Sequence, residues 1–436
     1  MIENILAKLN IEALNTMQLE TMEAATKAND LVLLSPTGTG KTLAFLLPLA
    51  KRLNPESKNV QAIIIAPSRE LAVQIADVFR KLGTSFKVGC FYGGHSVKIE
   101  KDSLQQLPAV LIGTPGRIAY HIDFRSFDTR SVQTIVLDEF DKALEFGFKK
   151  EMESIISQLP NLKYRMLTSA TAGIEIPKFV GLQNAKQLNF IPENFNQTEG
   201  LTLKLVHALG KDKLDALFSL ICKIGTQPTL VFCNHRDAVD RISLLLKEKK
   251  IIHDVFHGGL EQIDREKTLI KFKNGSNCFL ISTDLSARGL DIVTLENIIH
   301  YQLPLTENIF FHRNGRTARM QAKGTAYIIL AENEKQPDYI PKNVPIEFLA
   351  KEFALPPATE WVTLYISAGK KDKISKADIV GFLMQKGNLE KTDLGLIEVL
   401  DHAAYAAIRK NKIVAMLQLI KDQKIKNQKL KFEQSR

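Results

Sequence analysis

The stretch Ser35-Pro36-Thr37-Gly38-Thr39-Gly40-Lys41-Thr42 is entered by the apolar run Leu31-Val32-Leu33-Leu34 and left by Leu43-Ala44-Phe45-Leu46-Leu47, a run of helix formers. A glycine-rich turn between a buried strand and a helix bares backbone N–H groups, and the helix dipole adds partial positive charge there. Phosphate suits such a loop. Gly38 and Gly40, alternating with Thr37 and Thr39, allow the tight turn, Lys41 can reach β- and γ-phosphates, and Thr42 offers a hydroxyl to Mg²⁺. A chance glycine-threonine loop would lack the flanking strand and helix. The stretch therefore predicts a nucleoside-triphosphate site at the end of a parallel strand.

Outward from that loop, short β-rich runs alternate with helical patterns up to about residue 195. Strands are expected at 31–35, 62–66, 87–91, 109–112, 134–137, 164–167 and 186–190. Alternation of this kind indicates βαβ units on a parallel sheet. The polar segment 192–200 reads as a linker, after which the alternation restarts, with strands expected at 203–207, 229–232, 254–256, 278–281, 297–300 and 324–330. Residues 332–359 hold five of the sixteen prolines and break the pattern, as a connector would. The remainder has a β-α-β-β-α-β order, with strands at 362–366, 395–399, 405–408 and 430–432 and helices at 376–385 and 412–421. That order is the ferredoxin-like arrangement used by RNA-recognition modules. The expected organisation is thus two α/β domains (1–195 and 201–335), a linker (336–359) and a small α+β domain (360–436).

A chain of 436 residues suffices for several cores, and its 45% hydrophobic and 24% charged content is ordinary for a globular protein. It has no apolar run of about 18 residues, the length that spans a bilayer. The first residues lack the layout of a signal peptide. Cys90, Cys222, Cys233 and Cys278 are scattered without a CxxC pair, which argues against structural zinc and disulfides and for a reducing cytoplasm. Net charge is +10, and residues 360–436 carry 15 Lys/Arg against 9 Asp/Glu, so +6 of it lies there. A basic surplus in one segment suggests nucleic acid, or less often an anionic membrane; a solvated lysine-rich surface is the plain alternative.

A nucleotide site also needs an acid for its metal, and Asp138-Glu139 follows the apolar strand Ile135-Val136-Leu137. Strand carboxyl ends are where ligands sit in open α/β sheets. Asp138 would help hold Mg²⁺, and Glu139 would position or activate the attacking water.

SPTGTGKT, DEFD (138–141), SAT (169–171) and HRNGRTAR (312–319) together resemble the DEAD-box RNA helicases. APSREL (66–71), GG (93–94), TPGR (114–117), VFCN (231–234), HGG (257–259) and STDLSARGLDI (282–292) agree in order and approximate spacing. The resemblance covers about residues 10–330 and implies two tandem RecA-like domains, ATP with Mg²⁺, and an RNA partner. It implies that Gln18 reads adenine, that Thr37, Gly38, Thr39, Gly40, Lys41 and Thr42 cradle the phosphates and metal, and that Asp291 contacts the ribose. Arg316 and Arg319 resemble arginine fingers, with His312 at the seam between the domains. Ser169 and Thr171 would couple nucleotide state to RNA. Pro67, Arg69, Gly94, Thr114, Gly116, Arg117 and Thr283 resemble the RNA-backbone contacts. Three positions depart from the pattern: Phe140 replaces the usual Ala, which would crowd the region near SAT; Ala318 replaces a Gly; and Leu14-Asn15 stands where Pro-Thr is usual.

TLYISAGKKDKISKADIVGFL (363–383) and IEVLDHAAYAAI (397–408) resemble the RNA-binding domain of DbpA-type helicases, which implies an RRM-like fold acting on large-subunit ribosomal RNA during ribosome assembly. Tyr365 and Tyr405 would be its strand aromatics, with Ala403 where another aromatic is often found, and Lys370, Lys371 and Lys373 its basic cluster. The expectation is a monomeric cytoplasmic ATP-dependent RNA helicase that binds a ribosomal RNA hairpin and no membrane. An ATP-gated RNA clamp or chaperone, and a DNA translocase, are the alternatives.

Overall fold

The computed structural model describes residues 2–9, 11–36, 38–94, 97–171, 173, 175–191, 200–284, 295–317, 323–350 and 354–435. Of the residues singled out in the sequence, Thr37, Asp291, Ala318 and Arg319 lie outside these. The chain divides into two compact units, one on Met1–Gln197 and the other on most of the remainder.

The first unit is built on seven strands: β1 (Asp30–Leu34), β2 (Ala62–Ile65), β3 (Val88–Phe91), β4 (Val110–Gly113), β5 (Thr134–Leu137), β6 (Tyr164–Ser169) and β7 (Lys186–Asn189). Every pairing is parallel, in the order β3-β4-β2-β5-β6-β1-β7. Strands β1, β2, β4 and β5 are buried at every position, which explains their unbroken Val/Ile/Leu runs: helices cover both faces. Side-chain alternation then sorts the residues. Leu31, Ile64 and Val136 join one core cluster, while Val32, Ile63, Ile65, Ile135 and Leu137 join another. Phe140 belongs to the second cluster and is 1% exposed. The expected crowding near SAT is therefore not what this ring does; it fills the core.

The second unit carries a six-stranded parallel sheet of β8 (Leu201–His207), β9 (Thr229–Cys233), β10 (Asp254–Phe256), β11 (Phe279–Thr283), β12 (Asn297–His300) and β13 (Gly324–Leu330), ordered β10-β11-β9-β12-β13-β8. The proline-rich connector is not a free tether. Ile346 bridges to Leu205 on β8, Glu347 pairs with Lys204 at 2.6 Å and with Lys223, and the Tyr339 hydroxyl donates to the Pro304 carbonyl.

The same unit contains an antiparallel sheet of β14 (Trp361–Ile366), β15 (Leu394–Val399), β16 (Ala404–Arg409) and the final strand Phe432–Gln434. Its order, β15-β16-β14-final strand, with helices Lys376–Gln385 and Ile413–Ile420 between strands, is ferredoxin-like. The final strand lies two residues beyond its expected position, because 424–425 and 428–429 form a small hairpin first. Leu364, Ile366, Ala404, Ala406 and Ile408 face a one-sided core with both helices. The four cysteines are free thiols, and among the described residues no helix is long and apolar enough to cross a membrane.

Candidate nucleotide site and RNA-facing edge

Sheet order in the first unit splits the carboxyl edge into two halves. The phosphate loop leaves β1, the DEFD acids leave β5 and SAT leaves β6, so these three neighbouring strands bring together the phosphate-loop, acid and SAT motifs. The APSREL, GG and TPGR stretches leave β2, β3 and β4, the other half.

In the phosphate loop, Gly38 and Gly40 have φ +84° and +91°, which favour glycine. A Cβ at Gly40 would stand 2.5 Å from Gln18 Nε2. Lys41 Nζ donates to the carbonyls of Ser35 at 2.5 Å and Pro36 at 3.2 Å, and the Thr39 hydroxyl donates to the Pro36 carbonyl. The helix Thr16–Lys27 is locked by a capping box: Asn15 Oδ1 accepts from Gln18 N–H, and Gln18 Oε1 accepts from Asn15 N–H. The same two side chains reach the loop, Asn15 Nδ2 donating to the Thr39 carbonyl at 2.9 Å and Gln18 Nε2 to the Gly40 carbonyl at 3.2 Å. Asn15, a departure at the level of sequence, thus ties the helix Thr16–Lys27 to the glycine-rich turn.

Asp138 is 3% exposed, and its Oδ1 accepts from Glu139 N–H at 3.1 Å and from the Thr168 hydroxyl. Burial, then the neighbouring Glu139 carboxylate, pushes its pKa up to about 6, against the opposing pull of Thr168 and Lys41. A buried carboxylate whose charge is this poorly compensated suits a cation. Glu139 has φ +46° and ψ +49°, a left-handed conformation that costs a non-glycine residue about 1–3 kcal/mol. Its N–H is held by both Asp138 Oδ1 and the Thr168 hydroxyl, the latter at 3.1 Å. Thr168, one residue before SAT, therefore sets both acids.

SAT is wired to two motifs. The Ser169 carbonyl accepts from Ser35 N–H in the phosphate loop at 2.9 Å, and the Thr171 hydroxyl donates to Asp141 Oδ2 at 2.9 Å. Ser169 Oγ accepts from Thr171 N–H at 2.9 Å, fixing the turn between them.

On the other half, Ser68 caps the helix that Arg69 begins, and Pro67 precedes it. Gly94 has φ +101°, and Thr114 is the N-cap of the helix Pro115–Asp123, which contains Gly116 and Arg117. Glu100, 2% exposed, joins the last two of these: it accepts from Tyr92 N–H at 3.2 Å, Arg117 Nη1 at 2.9 Å and His121 Nε2 at 2.8 Å. The first-unit residues assigned to RNA, Pro67, Arg69, Gly94, Thr114, Gly116 and Arg117, all fall on this stretch of edge.

In the second unit, Thr283 ends β11 and is 7% exposed. His312 lies in the helix Glu307–Asn314, and its carbonyl accepts from Arg316 Nε at 3.4 Å; Arg316 is 5% exposed. The most constrained side chain there is Arg313, unassigned from the sequence although it lies inside HRNGRTAR. It is 1% exposed and donates to both oxygens of Asp284 at 2.6 and 2.7 Å, to Asn234 Oδ1 and to the Gln302 carbonyl. Asn234 and Asp284 belong to VFCN and STDLSARGLDI, so one buried guanidinium binds three motifs together.

Residues 15–179 match the model of DEAD/DEAH box helicases, 212–321 the helicase conserved C-terminal domain and 363–434 the DbpA RNA binding domain. A protein of Bacillus subtilis described as ATP-dependent RNA helicase DbpA is 31% identical over 96% of this chain and 94% of its own length. The chain belongs to the DbpA-type DEAD-box helicases. An Escherichia coli relative of the same description is 30% identical over 93% of this chain and 90% of its own. Among solved structures, Saccharomyces cerevisiae Dbp5 bound to RNA and ADP BeF3 superposes with a TM-score of 0.66 at 26% identity, covering 76% of this chain and 86% of that one. Mss116 bound to ssRNA and UDP-BeF gives 0.68 at 25% identity, covering 76% and 73%. The DbpA-type chain is accordingly an ATP-dependent RNA helicase with two RecA-like domains and an RNA-binding C-terminal domain.

One stability consequence follows from Asp138. Its folded-state pKa lies above the ordinary carboxylate value, so the unfolded state binds fewer protons between about pH 4 and 6, and stability falls as pH rises through that window. Asp138→Asn keeps an Oδ1 acceptor for Glu139 N–H and Thr168 while removing the charge. In nucleotide-free protein with chelator, it is expected to stabilise the first unit by on the order of 1–3 kcal/mol at pH 7.5, with the gain vanishing near pH 4. Thermal unfolding at the two pH values checks this, and equal gains at both would disprove it.

Proposed function

We propose that this helicase remodels short duplexes in structured large-subunit ribosomal RNA during ribosome assembly, binding a hairpin through residues 360–436. Thr42 and Asp138 would hold Mg²⁺ on the nucleotide, and bound metal would supply charge neutralisation at the β- and γ-phosphates. Lys41 would turn from the loop carbonyls to the phosphates, Glu139 would orient the attacking water, and Gln18 and Asp291 would contact adenine and ribose. Arg316 and Arg319 would complete the site when ATP and RNA close the two RecA-like domains, with His312 at that seam. Ser169 and Thr171 carry the coupling, since they touch the phosphate loop on one side and Asp141 on the other.

The observation that carries the RNA half is the edge of β2, β4 and β3: two helix N-termini and a glycine turn lie at the carboxyl ends of adjacent strands, and Glu100 ties the loop after β3 to the helix after β4. In the C-terminal domain, Lys370 and Lys373 line a surface concavity of ≈ 570 Å³ together with Lys376, Ile374, Ile397 and Val399. Lys370, Lys371 and Lys373 are exposed, as a phosphate-contacting set must be. The reading has it acting as a cytoplasmic monomer.

A hairpin bearing a short adjoining duplex tests this. ATP should release the duplex strand, RNA but not DNA should stimulate hydrolysis, and binding without ATP-dependent release would favour the clamp alternative. Each phosphate contact contributes roughly 0.7–0.9 to the salt slope of log affinity. Neutralising Lys370, Lys371 and Lys373 together should therefore flatten that slope by about 2–3; an unchanged slope would remove them from the RNA contact.

A further inference from the structure

Along β14, Val362, Leu364 and Ile366 point into the core of the C-terminal domain, so Trp361, Thr363 and Tyr365 occupy the opposite face of the sheet. Register places Ala407 beside Thr363 and Tyr405 beside Tyr365 on that face. Both helices of the domain cover the other side, and a lone module of this fold would leave these residues to solvent. Yet Thr363 and Ala407 are each 1% exposed and Tyr405 is 5% exposed.

What covers Thr363 is the second RecA-like domain. Its helix Gln262–Lys273 ends at Asn274, whose Nδ2 donates to Thr363 Oγ1 at 2.8 Å. Ser276 Oγ lies 2.8 Å from the same hydroxyl, and the Ser276 carbonyl accepts from Thr359 Oγ1 at 3.1 Å. A Cβ on Gly275 would sit 3.5 Å from Trp361 Cδ1, so the turn between them passes directly against the indole. Asp264 and Glu266 of that helix act on the Tyr405 phenol, which burial pushes up to about 12.

We infer that the outer face of the C-terminal sheet is a docking surface for the second helicase domain, locked by Asn274, Ser276 and Thr363, so that a hairpin bound elsewhere on the C-terminal domain is presented at a fixed place. Interfaces between domains of one chain are often mobile. Here a buried polar cluster accepts only one register, since sliding would leave its amide and hydroxyls unpaired. The connector agrees independently, being held to the same RecA-like domain through Ile346 and Glu347. Tyr365, half buried at the end of the covered strip, pairs with Tyr405 at 5.6 Å between ring centroids.

The docking claim stands apart from which RNA is bound; only the functional arm of its test rests on the hairpin reading. In the full chain, Ser276→Cys with Thr363→Cys places two thiols where the two hydroxyls meet. Mild oxidation should crosslink them nearly completely without ligand, as read by mass spectrometry of the joined peptides. The oxidised protein should bind the hairpin and release the adjoining strand at rates within about twofold of its reduced form, whereas a lost stacking platform would weaken binding about fivefold to a hundredfold per base. The reduced form controls for folding. Absence of the crosslink in folded protein overturns the docking. Loss of hairpin affinity on oxidation shows that this face reads RNA, and loss of strand release with affinity intact shows that undocking is part of the cycle; either overturns the fixed-presentation proposal. As a second variant, Ser276→Glu should slow hairpin-directed strand release with unchanged hairpin affinity and be rescued by Thr363→Lys; no rescue would count against a direct contact.

Discussion

Arg316→Ala is expected to depress RNA-stimulated ATP hydrolysis by about 10³–10⁵ while leaving the weak nucleotide binding of residues 1–195 in the full chain nearly intact. The residue lies beyond the helix Glu307–Asn314, in a different unit from the phosphate loop, so it has no part in weak nucleotide binding by residues 1–195. A guanidinium that meets the γ-phosphate only on closure stabilises charge that develops in the transition state, which lowers the catalytic rate more than the ground-state affinity. Its neighbour separates this role from a structural one. Arg313 makes four hydrogen bonds inside the second unit, so Arg313→Ala strands Asp284 and Asn234 without their partner and should lower the melting temperature. Arg316→Ala should lower melting less than Arg313→Ala does while costing far more in hydrolysis. Arg319→Ala should cost a similar factor, and the double variant little more than either, because groups acting on one transition state are not additive. Single-turnover hydrolysis at saturating RNA, with nucleotide affinity from fluorescence titration, measures both quantities. A loss below tenfold for Arg316→Ala would remove it from the reaction.

The parallel sheets were legible because burial on both faces forces long Val/Ile/Leu runs, and each run is followed by a polar motif at its carboxyl end. The places of Lys41, Asp138 and Glu139 at those strand ends could be read for the same reason. Residues that act by holding others could not. Thr168 looks like one more strand residue, yet its hydroxyl sets both acids. Glu100 sits in an unremarkable charged helix, and only the fold brings Tyr92, Arg117 and His121 around it. Phe140 shows the converse: a large residue in a motif suggested crowding near SAT, whereas the start of the helix after Glu139 turns it into the core. The C-terminal tyrosines carried the same ambiguity. Alternation along β14 and β16 assigns them to the outer face, but nothing local reveals that Asn274 and Ser276, some ninety residues upstream of Thr363, lie against that face.

Glu139→Gln is expected to abolish multiple-turnover hydrolysis, by at least the 10²–10⁴ typical of a positioned general base, while preserving ATP and RNA binding. The carboxylate is held in a left-handed backbone conformation by two hydrogen bonds to its own N–H, neither of which involves its side chain. Substituting the isosteric amide therefore leaves the backbone geometry, Asp138 and Thr168 in place. It also removes the negative charge that helps raise the Asp138 pKa, so Asp138 should ionise more readily and hold the metal nucleotide at least as well. The variant should consequently accumulate in the RNA- and ATP-bound state, with nucleotide affinity equal to or above that of the parent. Lys41→Ala provides the contrast. That ammonium is 8% exposed and bonded to two loop carbonyls, and its loss removes both a phosphate ligand and a tie within the loop, so affinity and turnover should fall together. Equilibrium binding of a fluorescent ATP analogue, set beside steady-state phosphate release, separates the two patterns. Wild-type turnover in Glu139→Gln would show that another group directs the water, and a loss of nucleotide affinity matching that of Lys41→Ala would show that Glu139 serves binding rather than the chemical step.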